Sequence, residues 1–242
     1  MVAAGLLTPE QAALVQAAQN GQQPRNEPAR TLEDTIAIVL AAQLAADLEL
    51  VLDDIEAGRD PDYDALAAAL ALLLIPLLLR AAGAATLREA ALIGVDVDMA
   101  LVNAAALAWA TEYSAALILG LTQTTRKVVD EALTTYRAHP DLTRAGLAAL
   151  LVFAFGFSRA AMIAATEVTR AYTAGVLVYQ GLLARQGIPT VRIWDTAVDE
   201  RVCVVICVPM DGLAERYWEP KAGPPAHPNC RCGTHLEVKR HG

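Results

Sequence analysis

The chain has 242 residues, a formal net charge of −8, and 55% hydrophobic residues against only 5% aromatic ones. That length suits one large domain or two small ones and can bury a sizeable core. Nineteen acidic and eight basic residues fall within 1–143. With no long basic run, this excludes general nucleic-acid binding through that half; a local basic face around Arg159, Arg170 and Arg185 stays open.

Alanine and leucine supply most of the apolar content and both favour helices. The expected fold is therefore mainly α: an N-terminal helical bundle followed by a small C-terminal α+β module. Thr8-Pro-Glu-Gln11 carries helix-start chemistry, with threonine as N-cap and proline at the first position. That short helix should stop near Asn20-Gly21, and 22–30 reads as a polar linker. Residues 1–30 thus form a first segment, a helix and a flexible arm.

An acidic helical region is expected over 31–142. Thr31 opens a helix to about Ala57, stopped by Gly58. Ile36, Leu40, Leu44, Leu48, Val51, Leu52 and Ile55 recur at helical spacing, with Asp47, Asp53, Asp54 and Glu56 largely off the stripe. Asp60-Pro61 starts the next helix, which Pro76 should kink or split; Gly83 and Gly94 are further breaks. Asp96 or Asp98 caps a helix over about 99–119. Thr125 starts another that His139-Pro140 ends.

Spanning a membrane takes about 20 apolar residues. The longest run, 65–79, is shorter and contains Pro76; Asn103, Thr111 and Glu112 interrupt 99–121. Buried helices rather than membrane spans are expected.

The last segment is 143–242. A short apolar helix should run from Thr143 to Phe155, and a long one over 158–187, with Ser158 as cap and Gly187 as stop. The texture then changes. Thr190-Val-Arg-Ile-Trp194 reads as a strand, Asp199-Glu200 and Asp211-Gly212 as turns, and 233–239 as a closing strand. A compact β-rich module is expected over 188–242.

All four cysteines lie in that module. Cys203-Val-Val-Ile-Cys207 is a C-x3-C; Cys230-Arg-Cys232 is a C-x-C, with His227 three residues before it. Met1-Val-Ala-Ala-Gly5 has no basic n-region, so a reducing cytosolic setting, and metal over disulfides, is expected. Structural zinc takes four thiolate or imidazole ligands from two short knuckles, and here Cys203, Cys207, His227, Cys230 and Cys232 compete for four places. Either Cys230 and Cys232 both bind, or His227 and Cys230 bind while Cys232 packs. Disulfides and buried free thiols are the other readings. A staple makes physical sense in a module of about fifty-five residues.

A catalytic zinc keeps one position open for water, and five donors point to a closed site. Asp199 or Glu200 as acid or base, and a Cys230–His227 nucleophile pair, are weaker readings. His139 and His241 read as surface residues; His235 falls in the last strand.

Several blocks, in order, resemble the phage Mu F-like minor head proteins, a head-morphogenesis family. Ala161-Met-Ile-Ala-Ala-Thr-Glu-Val-Thr-Arg-Ala-Tyr-Thr-Ala-Gly175 is similar to that family's helix "A-x-x-I-A-R-T-E-x-x-R-A-Y-N-x-G". Asp199-Glu-Arg-Val-Cys203 resembles "D-x-R-V-C", and Cys207-Val-Pro-Met-Asp-Gly212 resembles "C-x-x-L-D-G". Pro225-Ala-His-Pro-Asn-Cys-Arg-Cys232 resembles "P-x-H-P-N-C-R-C". The likeness spans about 122–236. Ala165 and Thr173 stand where the family has arginine and asparagine, and C-x3-C replaces its C-x-x-C.

The resemblance implies a structural virion protein, not an enzyme. It would be made with the procapsid in the host cytoplasm, end in the phage head, and bind portal protein, major capsid or scaffold protein, or further copies of itself. A role in DNA packaging or delivery, with local DNA contact, belongs to the same expectation. The competing function is a zinc-dependent nuclease or hydrolase using the Cys/His cluster.

Glu167, Arg170, Asp199, Arg201, Asp211 and Gly212 are expected to form a structural network. Glu167 and Arg170 share a helix face. One of them should turn inward to hold the Asp199–Arg201 turn, so that Glu167→Ala costs over about 1 kcal/mol.

Overall fold

The computed structural model describes residues 27–239 other than Val97, Pro140, Val198, Glu200 and Arg201. The helix expected over 8–20, most of the linker, Arg201 and His241 lie outside the described residues. Among the described residues five helices come first: α1 Glu27–Glu56, α2 Tyr63–Ile93, α3 Met99–Ala138, α4 Arg144–Phe155 and α5 Phe157–Arg185. Strands β1 Thr190–Asp195 and β2 Gly233–Val238 follow, separated by 3-10 turns at Val208–Met210 and Glu215–Tyr217. The chain is mainly helical with a small C-terminal α+β module, as composition and texture lead one to expect.

Several boundaries differ from expectation, each for a local reason. Helix α1 starts at Glu27, four residues before Thr31. Helix α2 runs unbroken through Pro76 and Gly83, and Gly94 (φ +75°) ends it. Proline removes one helical hydrogen bond, and it does so on a face where Leu72, the residue one turn back, is 81% exposed. Helix α3 continues through 120–125, where a break is expected. Thr124 and Thr125 hydroxyls donate back to the carbonyls of Gly120 and Leu121 at 2.9 Å, which keeps both side chains compatible with the helix. Gly156 rather than Ser158 precedes α5, and it also closes α4.

Several of these helices are longer than the apolar runs expected from the sequence. By length and composition, Ala29–Glu56, Tyr63–Ile93, Ala100–Ala138 and Arg144–Arg185 are each long and apolar enough to span, and less than half of each most apolar window is buried.

The predicted α1 stripe does form core. Ile36, Leu40, Leu44, Val51, Leu52 and Ile55 are buried, each contributing about 1.5–3 kcal/mol. All but Ile36, which joins the second cluster, meet Leu66, Leu70 and Leu74 of α2, Leu147 and Leu151 of α4, and Ile163 of α5. Asp47, expected off the stripe, is buried instead. Burial pushes its carboxyl pKa up, and the Gln43 amide, donating at 2.7 Å, partly offsets this. At the surface, Arg144 at the start of α4 reaches Glu49, Asp53 and Glu56 of α1 at 2.6–2.9 Å.

A second core cluster joins the helices to the hairpin. Leu78, Ala81 and Ala85 of α2 pack with Val168, Val176, Tyr179 and Leu183 of α5, and Leu236 of β2 enters the same cluster. Strands β1 and β2 pair antiparallel, with Ile193 opposite His235 and Trp194 opposite Thr234. The backbone N–H of Leu236 donates to Glu89 Oε2 of α2 at 2.8 Å.

Glu89 is fully buried. Burial raises its pKa above the ordinary 4.5; the Leu236 N–H, Arg88 and His235 pull it down, and Asp195 pushes it further up. The folded chain therefore holds this proton more tightly than the unfolded one. The resulting stability is full below about pH 4.5 and is lost as pH rises through the raised folded value. Glu89→Gln keeps an acceptor for Leu236 and cannot ionise. The variant should thus lose less stability than wild type between pH 5 and 8, read from urea midpoints. Parallel pH profiles for the two proteins would contradict this assignment.

Candidate metal centre

The β module folds around a third cluster made of Trp194, Cys207, Trp218, Cys230 and Cys232. The two indoles meet edge-on, ring centres 5.4 Å apart, and Trp218 Nε1 donates to the Leu213 carbonyl at 2.7 Å. This apolar floor carries two short knuckles.

The first knuckle explains its own spacing. The N–H of Cys207 donates to the Cys203 carbonyl at 3.0 Å, an i to i+4 bond that makes 203–207 one helical turn. Residues four apart on a helical turn share a face, so C-x3-C brings both sulfurs to one side. The Ile206 N–H also reaches Cys203 Sγ at 3.4 Å.

The second knuckle is a β-turn over His227-Pro228-Asn229-Cys230, closed by the Cys230 N–H to the His227 carbonyl at 3.2 Å. Proline second and a positive φ third are what a type II turn demands. Asn229 supplies that φ, +67°, at less strain than most side chains would. His227 Nδ1 sits 2.8 Å from the Pro228 carbonyl. A carbonyl only accepts, so Nδ1 carries the proton and Nε2 is left bare as a ligand atom.

The knuckles converge. Cys207 Sγ is 3.3 Å from His227 Nε2 and 3.9 Å from Cys230 Sγ. Two triads share Cys207: Cys203, Cys207 and His227, and Cys207, Cys230 and Cys232, the donor atoms of each lying within 4.8 Å of one another. Cys207, Cys230 and Cys232 are buried, Cys203 half-buried, and all four are free thiols. A cavity of about 10 Å³ lies among all five donors and Asp199, room for about one water-sized occupant. Tetrahedral bonds of about 2.3 Å to sulfur and 2.0 Å to nitrogen put ligand atoms about 3.5–3.8 Å apart. The two distances from Cys207 match that spacing, so the residues fit a metal ion.

Electrostatics agree. Hydrogen bonds from the Cys207 and Cys232 thiols hold the Cys230 thiol far below its ordinary range, despite burial. Hydrogen bonding to Cys230 and Cys232, with burial, pushes Cys207 up. Three sulfurs share protons where a cation would let all three ionise.

The other expected site residues divide. Asp211 accepts from the Thr196 N–H at 2.9 Å, and Gly212 (φ +71°) donates its N–H to the Trp194 carbonyl at 2.9 Å. Both hold the loop that carries Cys207. Glu167 is buried, but its described partners are Tyr113 and Arg170 rather than the turn at Asp199. The Tyr113 hydroxyl donates to Glu167 Oε2 at 2.6 Å, and Arg170 Nε stands 3.5 Å away. Burial raises the Glu167 pKa; Tyr113 and Arg170 lower it. Glu167→Ala leaves the phenol without its acceptor and should cost about 1–3 kcal/mol. An unchanged melting temperature would argue against it.

Arg159 does not belong to a basic face. It is buried, donating to the Ala154 and Leu121 carbonyls and to the Thr125 hydroxyl at 2.6–3.0 Å. Asp199 pairs with Arg231 at 3.1 Å. His139 is exposed, and His235 turns to Asp195 at 2.8 Å.

Sequence reasoning did not find what ties the knuckles to the helices. Thr169 Oγ1 of α5 donates to the Cys230 carbonyl at 2.7 Å, and the Asn229 N–H donates to Thr166 Oγ1 at 2.8 Å. Both threonines lie in the helix block singled out above, where their i to i+3 spacing was the available signal. Compared with known proteins, the chain matches no family model, no curated protein and no solved structure.

Proposed function

We propose that this chain is a minor head protein of a phage, a structural virion component that binds portal protein or inner capsid and is stapled by one zinc ion. The observation that carries the reading is convergence. The blocks that resemble the Mu F-like family are scattered over 161–232, yet Thr166 and Thr169 bond the Asn229–Cys230 main chain, and Asp211 braces the strand end beside Cys207. A resemblance made of separate weak strings gains weight when those strings form one contact unit.

Thiolate and imidazole donors favour zinc over harder cations. Cys207, His227, Cys230 and Cys232 hold it, and half-exposed Cys203 stands beside them. The ion supplies cross-linking of two loops on a small core. The role is structural rather than enzymatic, with assembly in the host cytoplasm and residence in the head. Portal protein, capsid or scaffold protein and further copies of this chain are the partners.

Mass spectrometry of purified particles tests this: the chain should co-purify with portal and capsid proteins at low copy number. A chelator-sensitive nuclease activity in the isolated protein would favour the hydrolase instead. A membrane-associated role is the second reading, favoured by the four long apolar helices and by exposed Leu72, Leu92, Val152 and Phe153. Flotation with lipid vesicles, with no recovery in particles, would support it over the first.

A further inference from the structure

Arg231 lies between two of the cysteines, yet its guanidinium reaches outward. Its Nε donates to both carboxylate oxygens of Glu33 at 2.9 Å, Nη2 bonds Oε1 as well, and Nη1 reaches Asp199 at 3.1 Å. Arg30 Nη2 stands 3.7 Å from the same Asp199 oxygen. Glu33 and Arg30 belong to the first turns of α1. Glu33 is only 6% exposed, and a carboxylate taken from water must keep its cation, because breaking such a pair costs far more than forming it gains.

The same tripeptide is held from three directions. Its Cys230 carbonyl is fixed to α5 by Thr169, and Thr166 holds the Asn229 N–H just before it. Its two thiols face the donor cluster, and its arginine alone spans to α1. Displacing the Cys230–Cys232 segment would pull Arg231 away from a buried acid.

We propose that the ion clamp is a latch for the start of α1: metal loading fixes Cys230–Cys232, this aligns Arg231, and Arg231 secures Glu33 and the first turns of α1. The proposal rests on the zinc reading above. Coupling of this kind is reciprocal, since whatever the ion does for α1 docking, α1 docking must do for the ion. The chain thus has a means of making the docking of its N-terminal side depend on metal.

Two measurements on the full chain test both directions. The first is hydrogen exchange with one zinc bound and after chelation; exchange over 29–40 should rise together with exchange over 203–232. The second is zinc affinity, by competition with a chelating dye, for wild type and Glu33→Gln. The variant should still bind one zinc per chain, about three- to tenfold more weakly. If Glu33→Gln does not fold, Asp199→Asn, which loosens Arg231 and Arg30 from one oxygen, takes its place with the same expectation. Unchanged exchange over 29–40 on chelation, or unchanged affinity in the variant, overturns the latch while leaving the zinc site standing. Wild-type protein without bound metal, by elemental analysis, overturns the zinc reading and the latch with it.

Discussion

Gly175→Ala is expected to lower the melting temperature by about 6–12 °C, the equivalent of about 3 kcal/mol for a domain of this size. Helix propensity alone predicts the opposite sign, since alanine gains about 1 kcal/mol over glycine inside a helix. Packing decides. A Cβ at Gly175 would lie 2.1 Å from the Ala82 carbonyl oxygen and 2.9 Å from Ala85 Cβ. The obstacle is backbone, so no side-chain rotation relieves it, and α2 and α5 must move apart. Separation also breaks the Thr86 hydroxyl bond to the Gly175 carbonyl, 3.0 Å long, and loosens the cluster that seats Leu236. Gly181, six residues on in α5, has nothing within 4 Å of its would-be Cβ. Gly181→Ala should therefore stabilise by about 0.5–1 kcal/mol. Thermal melts of both variants check the pair; equal signs would rule out the close crossing.

Cys207→Ser should abolish stoichiometric zinc binding, whereas Cys203→Ser should retain it. Cys207 belongs to both donor triads, so its loss leaves neither complete. A ligand at a thousand times its dissociation constant adds about 4 kcal/mol to the folded state. Chelation of wild type and Cys207→Ser should each remove about that much, and chelation should do nothing further to the variant. Metal content with denaturant midpoints measures both. Retention of zinc by Cys207→Ser would reassign the ligand set to the remaining donors.

What sequence made legible was local. The α1 stripe, the Thr143 cap, a cap at Asp96 or Asp98 (Asp98 in the fold) and the two strands follow from periodicity and capping chemistry over a few residues. So does the shape of each knuckle, a self-contained turn that sets Cys203 beside Cys207 and His227 beside Cys230. What stayed illegible depends on distant neighbours. Glu33 meets Arg231 across 198 residues, and Glu89 meets Leu236 across 147. No spacing rule reaches that far. Helical spacing left Glu167 and Arg170 as alternatives for the inward residue, and the partner that Glu167 meets, Tyr113, lies on another helix.

The Glu33–Arg231 pairing also has a meaning in time. A ribosome adds about 5–20 residues per second, so α1 emerges about 10–40 s before the arginine that will hold it. Over most of that interval α5, against which α1 packs, has not been made either. Ile36, Leu40 and Leu44 can meet α2 early, but the surfaces of α4 and α5 that complete their burial are still to be translated. The nascent chain is thus a natural client for a holding chaperone, and slowing translation late in the message should raise its aggregated fraction.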